Sequence, residues 1–346
     1  MKVKPSMNNM FGDKNRPTRR LKVNLNKRLL LAIAVLTWSM SVPIAHASDY
    51  PDRPIKIIIG FSPGGPTDIL SRLLADKLSK SLGAPVIVEN KVGAGGNIAG
   101  AFVAKAPGDG YTLLVGGTNY AIGRSWYKNL PFDVLKDLQI VATISKNANV
   151  LVVSSASNLK SVKDIVREAK ANPGKLTFAS SGAGTVVHLA GEIFKSRQTL
   201  DITHVPYNGA APAEIDVMSG RVTMMFDSLA TALPFIKDGR LRAIAVTSRE
   251  RSGYAPAVPS LEEEGMAGFD VTSWYAVWAP AGVPKAMLDR LNRVITDALS
   301  LPDIRQRLET LQAEAFAKGI AGALDFEREE ISKWTSAVEA LGPRSE

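Results

Sequence analysis

The sequence predicts an α/β fold with two lobes, each a mainly parallel sheet flanked by helices. Short apolar runs alternate with amphipathic helical patterns, which is typical of parallel strands covered by helices. This alternation occurs in two successive series, the second starting near Val150. The length of 346 residues also suits about two domains better than a single core.

The strand predictions rest on short runs of branched apolar residues that are bounded by turn residues. Each run is too short to be a typical helix. The predicted strands are Ile55–Phe61, Val86–Glu89, Tyr111–Val115, Val150–Ser154, Leu176–Ser180, Ile202–Pro206, Val222–Asp227, Leu241–Thr247 and Val271–Ala279.

The helix predictions rest on apolar residues that recur every three or four positions. In the first helical stretch, for example, Leu70, Leu74 and Leu78 share one face. The predicted helices are Thr67–Leu82, Ser161–Ala171, Thr185–Arg197, Ala211–Ser219, Pro284–Leu299, Ile304–Leu311 and Ala321–Ala340.

Two strands are expected to carry the chain between the lobes, one near Leu138–Ser154 and one near Val271–Ala279. A double crossing would return the C-terminal helices to the first lobe. We therefore expect lobe 1 to comprise residues 48–149 and 272–346, and lobe 2 to comprise residues 150–271.

The basic character of the chain is concentrated in its first 47 residues. The net charge is +9, but residues 1–47 contribute nine Lys or Arg and one Asp, which leaves +1 for the rest. A body so close to neutral has no broad field for phosphate, so nucleic acid is not an expected partner. Basic residues, the apolar run Leu29–Met40 and the Ala45-His46-Ala47 pattern indicate a secretory signal that is cleaved after Ala47.

Three glycine-rich turns lie where a predicted strand ends or a predicted helix begins. Because ligands bind at the carboxyl ends of strands in open α/β sheets, these turns are candidate walls of one site. Glycine permits close approach of the backbone, and a helix start adds free N–H groups, so such turns suit an anion without Arg or Lys. A tight turn with a helix cap explains each turn taken alone. The turns are 61–68, 90–97 and 180–185.

The sequence gives weaker support to the hypothesis that the protein is an enzyme. The dinucleotide fingerprint and the phosphate loop are both absent, as is the GxSxG pattern of a serine nucleophile. The chain has no cysteine, and no His, Asp or Glu cluster has the spacing of a metal site, so we expect no metal and no cofactor. Ser180 or Ser181 with His188 is the one pairing that leaves an exported hydrolase open.

Several motifs, in this order, resemble the Bug, or TctC-type, substrate-binding proteins of tripartite tricarboxylate transporters. The resemblance runs from Tyr50 through most of the C-terminal helices. The motifs are Phe61-Ser62-Pro63-Gly64-Gly65-x-x-Asp68, Val88-Glu89-Asn90-Lys91-x-Gly93-Ala94-Gly95-Gly96-Asn97, Ala106-Pro107-x-Asp109-Gly110-Tyr111, Ser180-Ser181-Gly182-x-Gly184-Thr185-x-x-His188, Val205-Pro206-Tyr207 and Ala279-Pro280-Ala281-Gly282-x-Pro284.

The resemblance implies a two-lobed, type II-like periplasmic binding fold that closes over a small carboxylate: a di- or tricarboxylate, an acidic amino acid or an aromatic acid. It also implies a monomer that serves membrane transporter subunits and is not an enzyme. A sensor that presents its ligand to a receptor stays open. The ligand contacts that it implies are Phe61, Ser62, Gly64, Gly65, Asp68, Gly95, Asn97, Thr118, Asn119, Ser181, Gly184, Thr185, Tyr207 and Asp227. Asp227 equally suits a helix cap.

Overall fold

Ten strands join into one continuous sheet in the computed structural model, which describes residues 50–342. The predicted signal segment and its cleavage after Ala47 lie outside the described residues. The strands are β1 (Ile55–Ile59), β2 (Val86–Asn90), β3 (Thr112–Gly117), β4 (Leu138–Ser154), β5 (Thr177–Ser180), β6 (Thr203–Pro206), β7 (Met224–Ser228), β8 (Leu241–Val246), β9 (Thr272–Pro280) and β10 (Glu314–Ala315).

Helices follow most of these strands and cover the sheet. None of the helices between residues 50 and 342 has both the length and the apolar character needed to cross a membrane. They are α1 (Pro66–Leu82), α2 (Asn97–Ala104), α3 (Thr118–Trp126), α4 (Val134–Asp137), α5 (Val162–Ala171), α6 (Val186–Gln198), α7 (Ala210–Met218), α8 (Leu229–Lys237), α9 (Lys285–Ser300), α10 (Pro302–Thr310) and α11 (Ile320–Ala340).

Lobe 1 is the part built on β1, β2 and β3. These strands run parallel in the spatial order β2-β1-β3, and β9 joins β3 in the antiparallel direction. Alternation along β1 sends Ile57 and Ile59 to the core beneath α1 and α9, and Ile58 to the core on the opposite face. Both faces of the central strand β1 are therefore buried, as is typical of parallel strands covered by helices.

Lobe 2 is the part built on β5, β6, β7 and β8. β5 lies between β6 and β7 and is parallel to both. The second half of β4 completes the lobe, because it pairs with β7 and β8 in the antiparallel direction.

β4 belongs to both lobes and makes the sheet continuous. Its first half pairs with β9 and its second half with β7 and β8. The chain returns to lobe 1 at the start of β9, where the amide of Asn149 donates to the carbonyl of Val271 and the hydroxyl of Ser273 donates to Asn149. The fold is therefore a two-lobed α/β fold with two crossing strands, while the residue boundaries that the sequence predicts for the lobes stay a prediction.

The C-terminal helix α11 is anchored to the crossing strand β9 by tryptophan side chains. The indole N–H of Trp278 donates to Glu327 at 2.7 Å, and that of Trp274 donates to Glu330 at 2.7 Å. Because Trp274 also borders the gap between the lobes, its bond to Glu330 fixes one wall of that gap.

Candidate ligand-binding cavity

The facing ends of the two lobes enclose a cavity of about 50 Å³. That volume holds only a few water molecules, since one water needs ~10–15 Å³. The walls come from the turns after β1, β3, β5 and β7, from the first residues of α1, α3, α6 and α7, and from β4 and β9. Seven of the predicted contact residues lie in these walls: Phe61, Gly65, Thr118, Asn119, Ser181, Thr185 and Asp227.

The walls also contain residues that the sequence reasoning missed. The signal that could have found Asn149, Trp274 and Tyr275 is their position on the two crossing strands, which pass between the lobes. The additional wall residues are Pro66, Thr67, Gly117, Asn149, Val186, Val187, Ala210, Ser228, Ser273, Trp274 and Tyr275.

Three helices begin at the cavity without a side-chain cap. The residues that precede α1, α3 and α7 are Gly65, Gly117 and Gly209, and none of them has a side chain to bond the first turn. The first N–H groups of a helix have no partner inside the helix, and the helix dipole adds positive potential there. The cavity therefore favours an anion, although none of its described wall residues is Lys, Arg or His.

Asp68 shapes the first turn and does not line the cavity. Its carboxylate accepts hydrogen bonds from the N–H of Gly64 at 3.1 Å and from the guanidinium of Arg72 at 2.8 Å. The amide of Asn90 donates both to Asp68 and to the carbonyl of Phe61. Burial opposes ionisation, but the bonds from Arg72 and Gly64 hold the pKa of Asp68 below its usual value. Asp68 thus stays charged and holds the turn.

Asn119 connects the cavity wall to the second glycine-rich turn. Its side-chain oxygen accepts from the N–H of Gly117 at 3.1 Å, and its amide donates to the carbonyl of Gly95 at 3.0 Å. Gly95 itself lies outside the cavity wall, against lobe 2. A methyl group at Gly95 would lie 2.3 Å from the carbonyl oxygen of Ala183. Glycine at this position therefore allows the two lobes to touch.

The lobes make further contacts around the cavity. The N–H of Ser62 donates to the carbonyl of Asn208 at 3.0 Å, and the hydroxyl of Tyr127 donates to the carbonyl of Ala183 at 2.7 Å. A methyl group at Gly209 would lie 2.1 Å from the Ser62 hydroxyl. These contacts join lobe 1 to lobe 2 through backbone groups and the Tyr127 hydroxyl, so the structure is the closed arrangement.

The structure places the other predicted contacts beside the cavity rather than in its wall. Asn97 donates to the carbonyl of Ala94 within its own turn. The hydroxyl of Tyr207 donates to Asp216 at 2.7 Å. The predicted contact residues outside the cavity wall are Ser62, Gly64, Asp68, Gly95, Asn97, Gly184 and Tyr207.

Asp227 is the acidic group of the cavity wall. It is 2% exposed, and the hydroxyl of Thr231 donates to its Oδ2 at 3.1 Å. Burial raises the pKa of the Asp227 carboxyl well above its usual range, and the neighbouring carboxyl of Glu214 raises it further. The cap of the helix that follows β7 is instead Ser228, whose side chain accepts from the N–H of Ala230.

The serine and histidine side chains are arranged differently from the pairing considered in the sequence. The hydroxyl of Ser180 lies 2.7 Å from Nε2 of His204, whereas Nδ1 of His188 accepts from the N–H of Gly184 at 3.1 Å. Ser180 is 0% exposed and is bonded to both polar groups of Gly182. A nucleophile must reach its substrate, so this geometry favours a structural role for Ser180.

The two histidine rings form a stacked pair next to Ser180. Their centroids are 3.9 Å apart. Burial, with a smaller effect of the Lys195 charge, lowers the pKa of His204 to about 4. Burial, the neighbouring His204 ring and Lys195 together lower the pKa of His188 to about 2. Both rings are therefore neutral near pH 7. Within residues 50–342 no three His, Asp or Glu side chains are grouped to hold a metal ion.

Two α/β lobes that are joined by crossing strands and closed over a small cavity define the class of two-lobed periplasmic binding proteins. A family model described as the tripartite tricarboxylate transporter family receptor, TctC, matches residues 70–342. The chain belongs to this family and is a solute-binding protein of the TctC type.

Individual relatives agree with this assignment. The protein BugT of Bordetella pertussis is 35% identical over 328 residues, which cover 93% of this chain and 99% of BugT. The structure of R. palustris Rpa4515 with adipate is 32% identical, has a TM-score of 0.82 and covers 85% of this chain and 99% of its own. MatC from Rhodopseudomonas palustris, solved with bound malate, is 30% identical, has a TM-score of 0.79 and covers 84% of this chain and 100% of its own.

Proposed function

We propose that this protein captures a small organic carboxylate in the cavity and closes its two lobes over it. The observation that carries the proposal is the set of uncapped helix starts at α1, α3 and α7, which converge on an enclosed space with no basic side chain in its described walls. Backbone N–H groups and helix dipoles replace Arg and Lys there. The relatives Rpa4515 and MatC were solved with adipate and malate, which are both dicarboxylates.

The proposed contacts are the polar groups of the cavity wall. In lobe 1 they are the backbone at Phe61 and Gly65 and the side chains of Thr118 and Asn119, and in lobe 2 they are Ser181, Thr185 and Asp227. The crossing strands add Asn149 and Ser273. Ser62, Gly64, Asp68, Gly95, Asn97, Gly184 and Tyr207 act differently: they hold the turns or form the seam between the lobes.

Export and delivery complete the proposal. We propose that the mature chain begins after Ala47, acts in the periplasm as a monomer and passes its ligand to membrane subunits of a tripartite transporter. Binding is reversible and involves no enzymatic step. The support is membership of a receptor family, together with the basic, apolar and small-residue order of residues 1–47.

A thermal-shift screen of the mature chain tests the proposal. Malate, adipate, citrate, aspartate, glutamate and benzoate are compared with acetate at equal ionic strength. A ligand at a hundred times its Kd stabilises the folded state by ~2.7 kcal/mol, which corresponds to a Tm increase of several degrees. At least one organic acid should give this increase, and isothermal titration should show one site. A screen in which no organic acid changes the Tm would overturn the proposal.

A further inference from the structure

The cavity contains an arrangement that an anion-binding site would be expected to avoid. Among its described wall residues, Asp227 is the only one with a carboxyl group, and none carries a basic side chain. An ionised carboxylate that is only 2% exposed would repel an anionic ligand, since charges interact more strongly where they are buried. The protonation state of Asp227 therefore decides which ligands the cavity accepts.

A second carboxyl group, which is not part of the cavity wall, lies next to Asp227. Glu214, on α7, is 4% exposed, and its carboxyl group lies close enough to that of Asp227 for a hydrogen bond if one of the two carries a proton. Its Oε1 has no donor among the described residues. Two carboxyl groups can share a hydrogen bond only if one of them carries a proton. Both groups are buried, and one oxygen of the pair accepts no hydrogen bond from the described residues that would stabilise a second negative charge, so the arrangement favours a pair that holds at least one proton.

The other groups around the pair do not supply a positive charge. From α8 the hydroxyl of Thr231 donates to Asp227. Tyr275 on β9 lies near enough to Asp227 for the two groups to interact electrostatically. Burial raises the pKa of Tyr275 far above pH 7, so its hydroxyl stays neutral. Apart from the partial positive charge of the helix starts, a proton is the way to compensate the charge of this pair.

We propose that Glu214 and Asp227 form a proton-sharing pair that gives the lobe 2 wall a hydrogen-bond donor in place of a basic side chain. Binding of a dianionic acid is then accompanied by uptake of a proton from solution. This inference rests on the proposed function, because it concerns the same cavity. It extends that function by naming Asp227 as the wall residue whose protonation state responds to the charge of the ligand.

The proposed proton uptake predicts the direction in which ligand affinity changes with pH. The ligand-free pair carries one proton and a charge of −1. A dianion beside it favours the neutral, doubly protonated pair, so its affinity falls as pH rises, by up to tenfold per pH unit when one whole proton is taken up. Binding of a ligand with a neutral or cationic group in the same place would cause no proton uptake by the pair.

A titration of the ligand-free protein tests the pair by itself. With the carboxyl groups of Asp and of Glu ¹³C-labelled in separate samples, wild type should show an Asp carboxyl that titrates well above pH 5, distinct from the buried Glu327. That Asp signal should vanish in Asp227→Asn and move to lower pH in Glu214→Gln, since the Gln amide donates to an ionised Asp227. If both carboxyl groups titrate below pH 5 in wild type, the pair does not exist, although carboxylate binding could still stand.

Calorimetry with malate and adipate tests the coupling. Titration at pH 6, 7 and 8, in buffers of different ionisation enthalpy, should show uptake approaching one proton per dianion in wild type. Asp227→Asn should bind without uptake, because its amide donates at every pH. Glu214→Gln should bind at least tenfold more weakly at pH 7.

A control variant distinguishes an effect of the Glu214–Asp227 pair from an effect of any other buried carboxyl group. Glu327→Gln changes a buried carboxyl on α11 whose pKa burial raises to about 7, but which bonds Trp278 outside the cavity wall. It should keep the proton uptake of wild type. Equal uptake in wild type and Asp227→Asn would overturn the coupling. If neither malate nor adipate binds and no acid in the thermal-shift screen changes the Tm, both the proposed function and the coupling of binding to proton uptake are wrong. The carboxyl titration of the ligand-free protein still decides whether the Glu214–Asp227 pair exists.

Discussion

At the scale of single residues, the predicted contact residues divide into two physical roles. Phe61, Gly65 and Thr118 expose groups to the cavity, whereas Asp68 and Gly95 support the surrounding turns. Sequence reasoning located these turns because glycine and a helix start are visible in the residue order. It could not separate the two roles, since these depend on where each side chain points after folding.

Gly95 provides a prediction at this scale. Gly95→Ala would place a methyl group 2.3 Å from the carbonyl oxygen of Ala183, so it should oppose closure. We expect ligand affinity in isothermal titration to fall at least tenfold, a loss of ~1.4 kcal/mol.

The matched control is Gly239→Ala. Gly239 has a φ of +68°, close to the +60° of Gly95, but nothing lies within 4 Å of the position of its added methyl group. Both variants should therefore lose similar stability from backbone strain, and only Gly95→Ala should lose affinity. Equal affinities for the two variants would show that the Gly95–Ala183 contact is not needed for binding.

At the scale of secondary structure, the sequence predicted most elements because their patterns are local. Each predicted strand and helix has a counterpart whose ends agree within two residues, except that the strand predicted at 150–154 is only the last part of the longer β4. The missed helices are α2, α3, α4 and α8. α2 and α3 begin directly after glycine with no capping side chain, and α8 contains Pro234, so the usual start and continuation signals are absent.

The contact between His188 on α6 and His204 on β6 leads to a prediction of how the free energy of unfolding depends on pH. His188 is buried and His204 is half-buried, and both have lowered pKa values. The unfolded chain, whose imidazoles titrate near ~6.5, therefore binds more protons below that pH. The free energy of unfolding should therefore fall between pH 6.5 and 4, by on the order of 3 kcal/mol for His204 alone.

His204→Gln tests this assignment, because Gln can keep a hydrogen bond to Ser180 and does not titrate. Urea unfolding followed by circular dichroism at pH 7 and at pH 4.5 would be compared for wild type and the variant. The variant should lose less stability on acidification than wild type. Identical losses would mean that His204 is not the group that titrates.

At the scale of the whole molecule, closure depends on long-range contacts that no local pattern encodes. The sequence predicted two lobes and two crossing strands, and the structure contains β4 and β9 in those places. It did not predict that Ser62 meets Asn208, or that Tyr127 reaches Ala183, since these pairs are far apart in the chain. The role of the crossing strands as cavity walls was missed for the same reason.

The same long-range arrangement explains how an anion site forms without basic residues. Each uncapped helix start is weak on its own, because water competes for its N–H groups. Closure brings α1 and α3 from lobe 1 against α7 from lobe 2 and encloses their first turns. Exclusion of water then strengthens every one of these interactions. Binding and closure are therefore expected to be one event.

A crystal structure of the mature chain with the acid that gives the largest thermal shift tests this account most directly. We predict one carboxylate enclosed between the lobes, with its oxygens about 2.7–3.1 Å from backbone N–H groups at the starts of α1 and α3. A ligand that lies outside the cavity, or is held by Lys or Arg side chains, would contradict it.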